Sequence, residues 1–144
     1  RLHMIGGLQT NKVKFAVRLF DYIHSVDSEK LAKKIADEQL KIDRNIKIFI
    51  QINIANENQK FGINKNEIDN LVNYCKKLNL NVIGFMCIPP VDVNPFNYFK
   101  EMYRLNQNYN FSELSMGMSS DYLDATKNNS TFLRLGSSIF GQRT

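Results

Sequence analysis

From Ile46 to Ile54 every second residue is isoleucine, and Lys47, Phe49, Gln51 and Asn53 fill the alternate positions. Side chains on a strand point to opposite faces in turn, so this spacing predicts a strand over residues 47–53 with one wholly apolar face. Asn64, followed three residues later by Glu67, resembles a capping box. Beyond it Ile68, Leu71, Val72, Cys75 and Leu78 recur at helical spacing, which predicts an amphipathic helix. A second run, residues 81–88, is rich in Val, Ile, Phe and Met and stops at Pro89-Pro90, which cannot continue a ladder. The same alternation extends both ways. Strands are predicted at residues 3–6, 22–26, 113–116 and 131–135, and helices from Leu8, from Ser28 and over residues 95–107. Strands separated by helices of ten to fifteen residues imply crossover connections and a parallel sheet.

Six strand–helix units fit two architectures. One is a closed (β/α)8 barrel, which needs eight units and roughly 250 residues in all. The other is a doubly wound open sheet. The first residue is Arg1 rather than methionine, so the chain is expected to be a single partial barrel over residues 1–144 that lacks its first two units. Such a barrel leaves two sheet edges without partners.

Composition narrows the function classes. With 43% hydrophobic and 23% charged residues, the 144-residue chain has material for one ordinary core. No stretch approaches the ~18 consecutive apolar residues of a membrane helix, and no signal-peptide pattern opens the chain. The formal charge of +5 is scattered rather than gathered into a basic stripe, which argues against nucleic acid. Cys75 and Cys87 have neither metal-site nor redox spacing, so reduced thiols and a cytoplasmic location are expected.

Candidate chemistry lies after the last two strands, where parallel barrels commonly hold a phosphate. In Ser115-Met116-Gly117-Met118-Ser119-Ser120-Asp121, Ser119 can donate a hydroxyl while Ser120 or Asp121 caps the next helix. In Arg134-Leu135-Gly136-Ser137-Ser138 the glycine lets backbone amides approach an oxyanion. The alternative is that both segments are merely helix caps and a glycine turn. Gln51 and Asn53 are placed to point into a barrel mouth, either toward a ligand or toward buried backbone groups. His3 and His24, in strands and without a motif partner, read as structural. Lys60 reads equally as a solvated loop lysine or a ligand contact.

Taken together, several blocks resemble the pyridoxal 5′-phosphate homeostasis family, the YggS/PROSC barrels related to the N-terminal barrel of alanine racemase. They are His3-Met4-Ile5-Gly6-Gly7-Leu8-Gln9-Thr10-Asn11-Lys12, Ile23-His24-Ser25-Val26-Asp27-Ser28, Gln51-Ile52-Asn53-Ile54, Gly84-Phe85-Met86-Cys87-Ile88-Pro89-Pro90, residues 114–121 and residues 134–143. The resemblance implies a TIM-type barrel of the alanine racemase N-terminal type. It also implies a pyridoxal 5′-phosphate site: phosphate on Ser119 and the amides of Gly136 and Ser137, Arg134 near the pyridine nitrogen, and Asn53 and Met86 close by. An arginine there would keep that nitrogen unprotonated and weaken the ring as an electron sink, which suits a carrier better than a transaminase. The implied role is holding and delivering the cofactor, with pyridoxal-dependent apoenzymes as recipients, no catalytic residue, no metal, and a monomeric complete protein.

The family's Schiff-base lysine belongs to a segment expected to precede Arg1, so no lysine here is assigned to it. Leu2 stands where the family commonly has tryptophan. The chain reaches Gly141-Gln142-Arg143 with no β-domain of the kind a racemase uses, so racemase activity is not implied. The alternative from another class is a true enzyme, either a fold-type III pyridoxal enzyme or a phosphosugar barrel using the same cup.

Overall fold

The computed structural model describes residues 1–58 and 61–142. Six parallel strands alternate with six helices: β1 (His3–Met4), α1 (Val13–Leu19), β2 (Tyr22–Val26), α2 (Glu29–Leu40), β3 (Lys47–Gln51), α3 (Ile68–Lys77), β4 (Asn81–Met86), α4 (Phe96–Asn108), β5 (Glu113–Met118), α5 (Tyr122–Lys127), β6 (Phe132–Arg134) and α6 (Ser137–Phe140). Each strand pairs with the next in chain order, so the six form one sheet. Laid flat, β1 and β6 would stand roughly 24 Å apart, five spacings of about 4.8 Å. Yet the rings of His3 and Phe132 lie 5.6 Å apart and those of Tyr22 and Phe132 also 5.6 Å. The sheet is therefore curled into an incomplete barrel rather than opened into a doubly wound fold. Among the described residues β1 and β6 each pair on one side only.

The isoleucine stripe does what its period requires. Ile46, Ile48, Ile50, Ile52 and Ile54 are buried in one cluster with Val17 of α1, Ile35 of α2, Leu71 of α3 and Phe99 of α4, the helix side of the sheet. On the inner face Phe49 packs with Tyr22 and Met86, and Ile83 and Phe132 lean against them. Burying one Ile or Phe side chain is worth about 1.5 to 3 kcal/mol, so the two clusters dominate the stability of the fold.

Strand bounds differ from the sequence expectation at their ends. Ile52 and Asn53 fall outside β3, because Ile52 makes an isolated bridge to Ile63 where the loop folds back. β4 stops at Met86, two residues before the pattern ends, and β1 is two residues long. Ser28 caps α2, its hydroxyl accepting from the Leu31 amide at 3.2 Å. The Glu67 carboxylate accepts from the Asn64 amide at 2.9 Å, but the first turn there is a 3-10 turn that runs on into α3.

Four helices end on the same device. Asp43, Asn79, Asn110 and Asn129 have positive φ between 51° and 63°. After each, the next amide reaches back five residues: Arg44 to Gln39, Leu80 to Cys75, Phe111 to Asn106 and Ser130 to Ala125. This is the Schellman closure, usually given to glycine and tolerated by Asn and Asp. Part of the asparagine content is thus spent on helix ends. Asn79→Ala should lower stability by about 1 kcal/mol and Asn79→Gly should match or exceed the wild type. Chemical denaturation of the two variants checks this, and equal losses would refute the left-handed assignment.

Candidate functional site

The C-terminal ends of β5 and β6 carry the two turns singled out above. Gly117 has φ +97°, and a Cβ there would fall 2.5 Å from the Ala125 Cβ, so glycine is required for α5 to close onto the strand end. Asp121 precedes α5 but does not cap it. Its carboxylate turns back to accept from the Met118 amide at 2.6 Å, which holds the loop that presents Ser119.

Three donors converge on the Ser119 hydroxyl oxygen: the Gly136 amide at 3.0 Å, the Ser138 amide at 3.3 Å and the Ser138 hydroxyl at 3.2 Å. Two backbone N–H groups and a hydroxyl aimed at one oxygen form a small cup of the kind that suits an oxyanion. Ser119 and Gly136 stand in it as the sequence suggested. The second amide, however, is that of Ser138, whereas Ser137 opens α6 and its carbonyl accepts from Gly141. A glycine followed by two serines leaves that choice open, because only the turn geometry decides which amide points inward.

Beside the cup lies a cavity of about 630 Å³, within the range of small-molecule sites. Its wall includes His3, His24, Met118, Phe132, Arg134 and Gly136. Arg134 spans it from β6, with Nη1 donating to the Ser115 hydroxyl and Nη2 to the Cys87 carbonyl, each at 2.8 Å. Its Nε is buried without a partner. Among the described residues no carboxylate forms an ion pair with Arg134. Burial draws the guanidinium below its usual range, though an arginine stays charged in water-facing or buried settings alike. The cavity thus holds a positive charge that Asp121 opposes only from outside its wall and without an ion pair.

His24 is the second buried polar anchor. Its Nδ1 lies 2.8 Å from the Ser115 hydroxyl and its Nε2 3.0 Å from His3 Nδ1, and its ring stacks on Phe49 at 4.3 Å. Burial, then His3 and Arg134, push its pKa down to about 3, so it is neutral at any ordinary pH. His3 is also shifted downward, first by burial. The sequence marks both histidines as structural, although Tyr22 and His24 share the inner face of β2 by the period of two.

Two other candidates sit elsewhere. Asn53 spends its amide locally, donating to the Glu57 carbonyl at 2.7 Å and accepting from the Glu57 amide at 3.0 Å. It closes its own loop instead of facing the cavity. Met86 is wholly buried against Tyr22 and Phe49 and does not line the cavity. Gln51 is buried on the inner side of β3. Lys60 lies outside the described residues. Both thiols are buried and free, and burial pushes Cys75 and Cys87 up to about 12, which leaves them unreactive. No helix among the described residues is long and apolar enough to cross a membrane.

Known proteins share this fold. The chain matches the alanine racemase N-terminal domain over residues 1–144. It is 36% identical to the pyridoxal phosphate homeostasis protein of Aquifex aeolicus and 34% identical to that of Vibrio cholerae, each over 98% of the chain. The match spans 66% and 64% of the length of those relatives, about two thirds. Among solved structures it superimposes on PipY of Synechococcus elongatus with PLP bound at a TM-score of 0.89 and 29% identity, covering 96% of this chain and 69% of that one. Alanine racemase of Clostridium difficile, at 14% identity and a TM-score of 0.76, shares the fold, with 99% of this chain and 40% of the racemase chain covered.

Proposed function

The chain belongs to the alanine racemase N-terminal domain family, and on that premise we propose that it holds pyridoxal 5′-phosphate in the cavity beside Ser119 as a carrier in cofactor homeostasis, without turning over a substrate of its own. The observation that carries this reading is the pairing, on one cavity, of a three-donor cup with a buried guanidinium that has no ion-pair partner among the described residues. A phosphate ester on a pyridine ring offers an anion to the first and, through its ring nitrogen, an acceptor to the second. When bound, the cofactor supplies an aldehyde that condenses with amines and a ring that withdraws electrons.

The residues divide the work. The Gly136 and Ser138 amides and the Ser119 and Ser138 hydroxyls hold the phosphate, while Arg134 faces the ring and keeps its nitrogen from taking a proton. Phe132 and Met118 exclude water from the ring. No lysine among the described residues lines the cavity, so within this chain the hold is by hydrogen bonds and charge. The relatives named above as pyridoxal phosphate homeostasis proteins support this reading, as does the cofactor bound to PipY. Apoenzymes that need the cofactor are the recipients this reading supplies.

Titration with pyridoxal 5′-phosphate, followed by absorbance, tests the assignment. Ser119→Ala should weaken binding about 10- to 100-fold, the worth of one charge-assisted hydrogen bond of about 1.5 to 3 kcal/mol. It should leave the affinity for pyridoxal, which lacks the phosphate, almost unchanged. Equal losses for both compounds, or no saturable binding by the wild type, would refute the cup.

A further inference from the structure

Arg134 leaves β6, a three-residue strand at the edge of the sheet, and carries its charge on a long flexible stem. Its aim into the cavity therefore depends on what grips its end. Arginine has donors only, so the 2.8 Å contact from Nη1 makes the Ser115 oxygen an acceptor. Ser115 is fully buried, and among the described residues its other side-chain hydrogen bond is to His24 Nδ1 at 2.8 Å. If Nδ1 carried a proton and donated it, the serine oxygen would accept twice and its own proton would be left unbonded in a dry interior. The hydroxyl therefore donates to Nδ1. That places the His24 proton on Nε2, aimed at His3 Nδ1 3.0 Å away. Each proton in the series is then used once, in one direction.

We propose that His24 and Ser115 are positioning residues for Arg134: a one-way hydrogen-bond series from the guanidinium through Ser115 and His24 to His3 locks the charge in the cavity wall. Four strands contribute to it, the neighbouring pairs β1–β2 and β5–β6 from the two edges of the sheet. Ser115 holds Nη1 and the Cys87 carbonyl holds Nη2, and each of these nitrogens keeps a second N–H for a ligand. The stacking of His24 on Phe49, with ring centroids 4.3 Å apart, fixes the imidazole plane and so the direction in which Nδ1 points. Only the ligand arm of the test below rests on the cofactor reading.

The ligand-free arm uses nitrogen-15 NMR of the whole chain. At pH 7 His24 should be the neutral tautomer with Nε2 protonated and Nδ1 bare. The Nη protons of Arg134 should be resolved, because rotation of the guanidinium is blocked. Ser115→Ala and His24→Leu should merge those signals, whereas His24→Asn, whose Oδ1 can stand where Nδ1 stood, should keep them apart. In the ligand arm Ser115→Ala and His24→Leu should weaken pyridoxal 5′-phosphate and pyridoxal alike by about tenfold. They should leave inorganic phosphate within about twofold, and His24→Asn should restore cofactor affinity to within about threefold.

A wild type that shows the stated tautomer and locked guanidinium yet binds no cofactor would support the positioning series and sink only the cofactor reading. A His24 that is a cation or carries its proton on Nδ1 would overturn the proposal, and that measurement needs no variant to fold. So would Arg134 signals that are indifferent to Ser115→Ala, or a His24→Asn variant as loose as His24→Leu.

Discussion

Gly84→Ala should destabilise the chain by about 4 kcal/mol or more, enough to leave it largely unfolded near 37 °C if its stability is at the low end of the usual 5 to 15 kcal/mol. Gly84 sits opposite Phe49 on one side and Glu113 on the other, where β5 first joins β4. A Cβ at this position would lie 1.8 Å from the Glu113 carbonyl oxygen and 3.2 Å from the Phe49 ring. Ordinary contact needs about 3.5 Å, so β5 would have to withdraw by well over an ångström. That shift would break the entry to the β4–β5 ladder and carry away Ser115, which is two residues further along. Gly6 is the control, since a Cβ there meets nothing within 4 Å, and Gly6→Ala should change stability by less than about 1 kcal/mol. Urea denaturation followed by circular dichroism measures both. A Gly84→Ala chain within about 0.5 kcal/mol of the wild type would mean that β4 and β5 do not approach as described.

Stability should also fall as the solution is acidified from pH 7.5 to pH 5, and His24 should account for most of the loss. In the unfolded chain a histidine takes up its proton near 6.5, whereas His24 in the folded chain does so only near 3. Between those values the unfolded state binds the extra proton, so the folded state loses ground as pH drops. The difference amounts to about 2 kcal/mol at pH 5. The groups that face the ring act in the same sense: His3 from β1 and Arg134 from β6 both oppose a charge on it, and no carboxylate is among the causes of its shift. Asp21 and Glu38 are held below the usual carboxylate range, Asp21 first by the Leu2 amide and Glu38 by Lys34, and so stay charged through this window. His24→Leu should flatten the slope between pH 7.5 and pH 5, leaving the smaller share of His3, whose pKa is lowered in the same direction. An unchanged slope in that variant would show that His24 is not the buried neutral group.

Much of the fold was legible without coordinates, because its signals are local. The isoleucines at 46, 48, 50, 52 and 54 commit one face of β3 to the helices through a period of two, and all five are buried there. Ser28 and the pair Asn64 and Glu67 mark helix starts through hydrogen bonds that reach three residues. The serine and glycine turns after the last two strands lie in the order a parallel barrel requires, and Ser119 and Gly136 do meet. Tertiary structure alone decided the rest. Asn53 could have faced the cavity or its own loop, and the turn at Glu57 takes both ends of its amide. Ser138 rather than Ser137 brings the second amide to the cup. His3, His24, Ser115 and Arg134 come from four strands and join only because the sheet curls, with 91 residues separating His24 from Ser115 along the chain. Periodicity and capping are written in spacings of two to four residues. The meeting of distant polar side chains depends on strand twist and register summed over the whole sheet, which no short stretch of sequence carries.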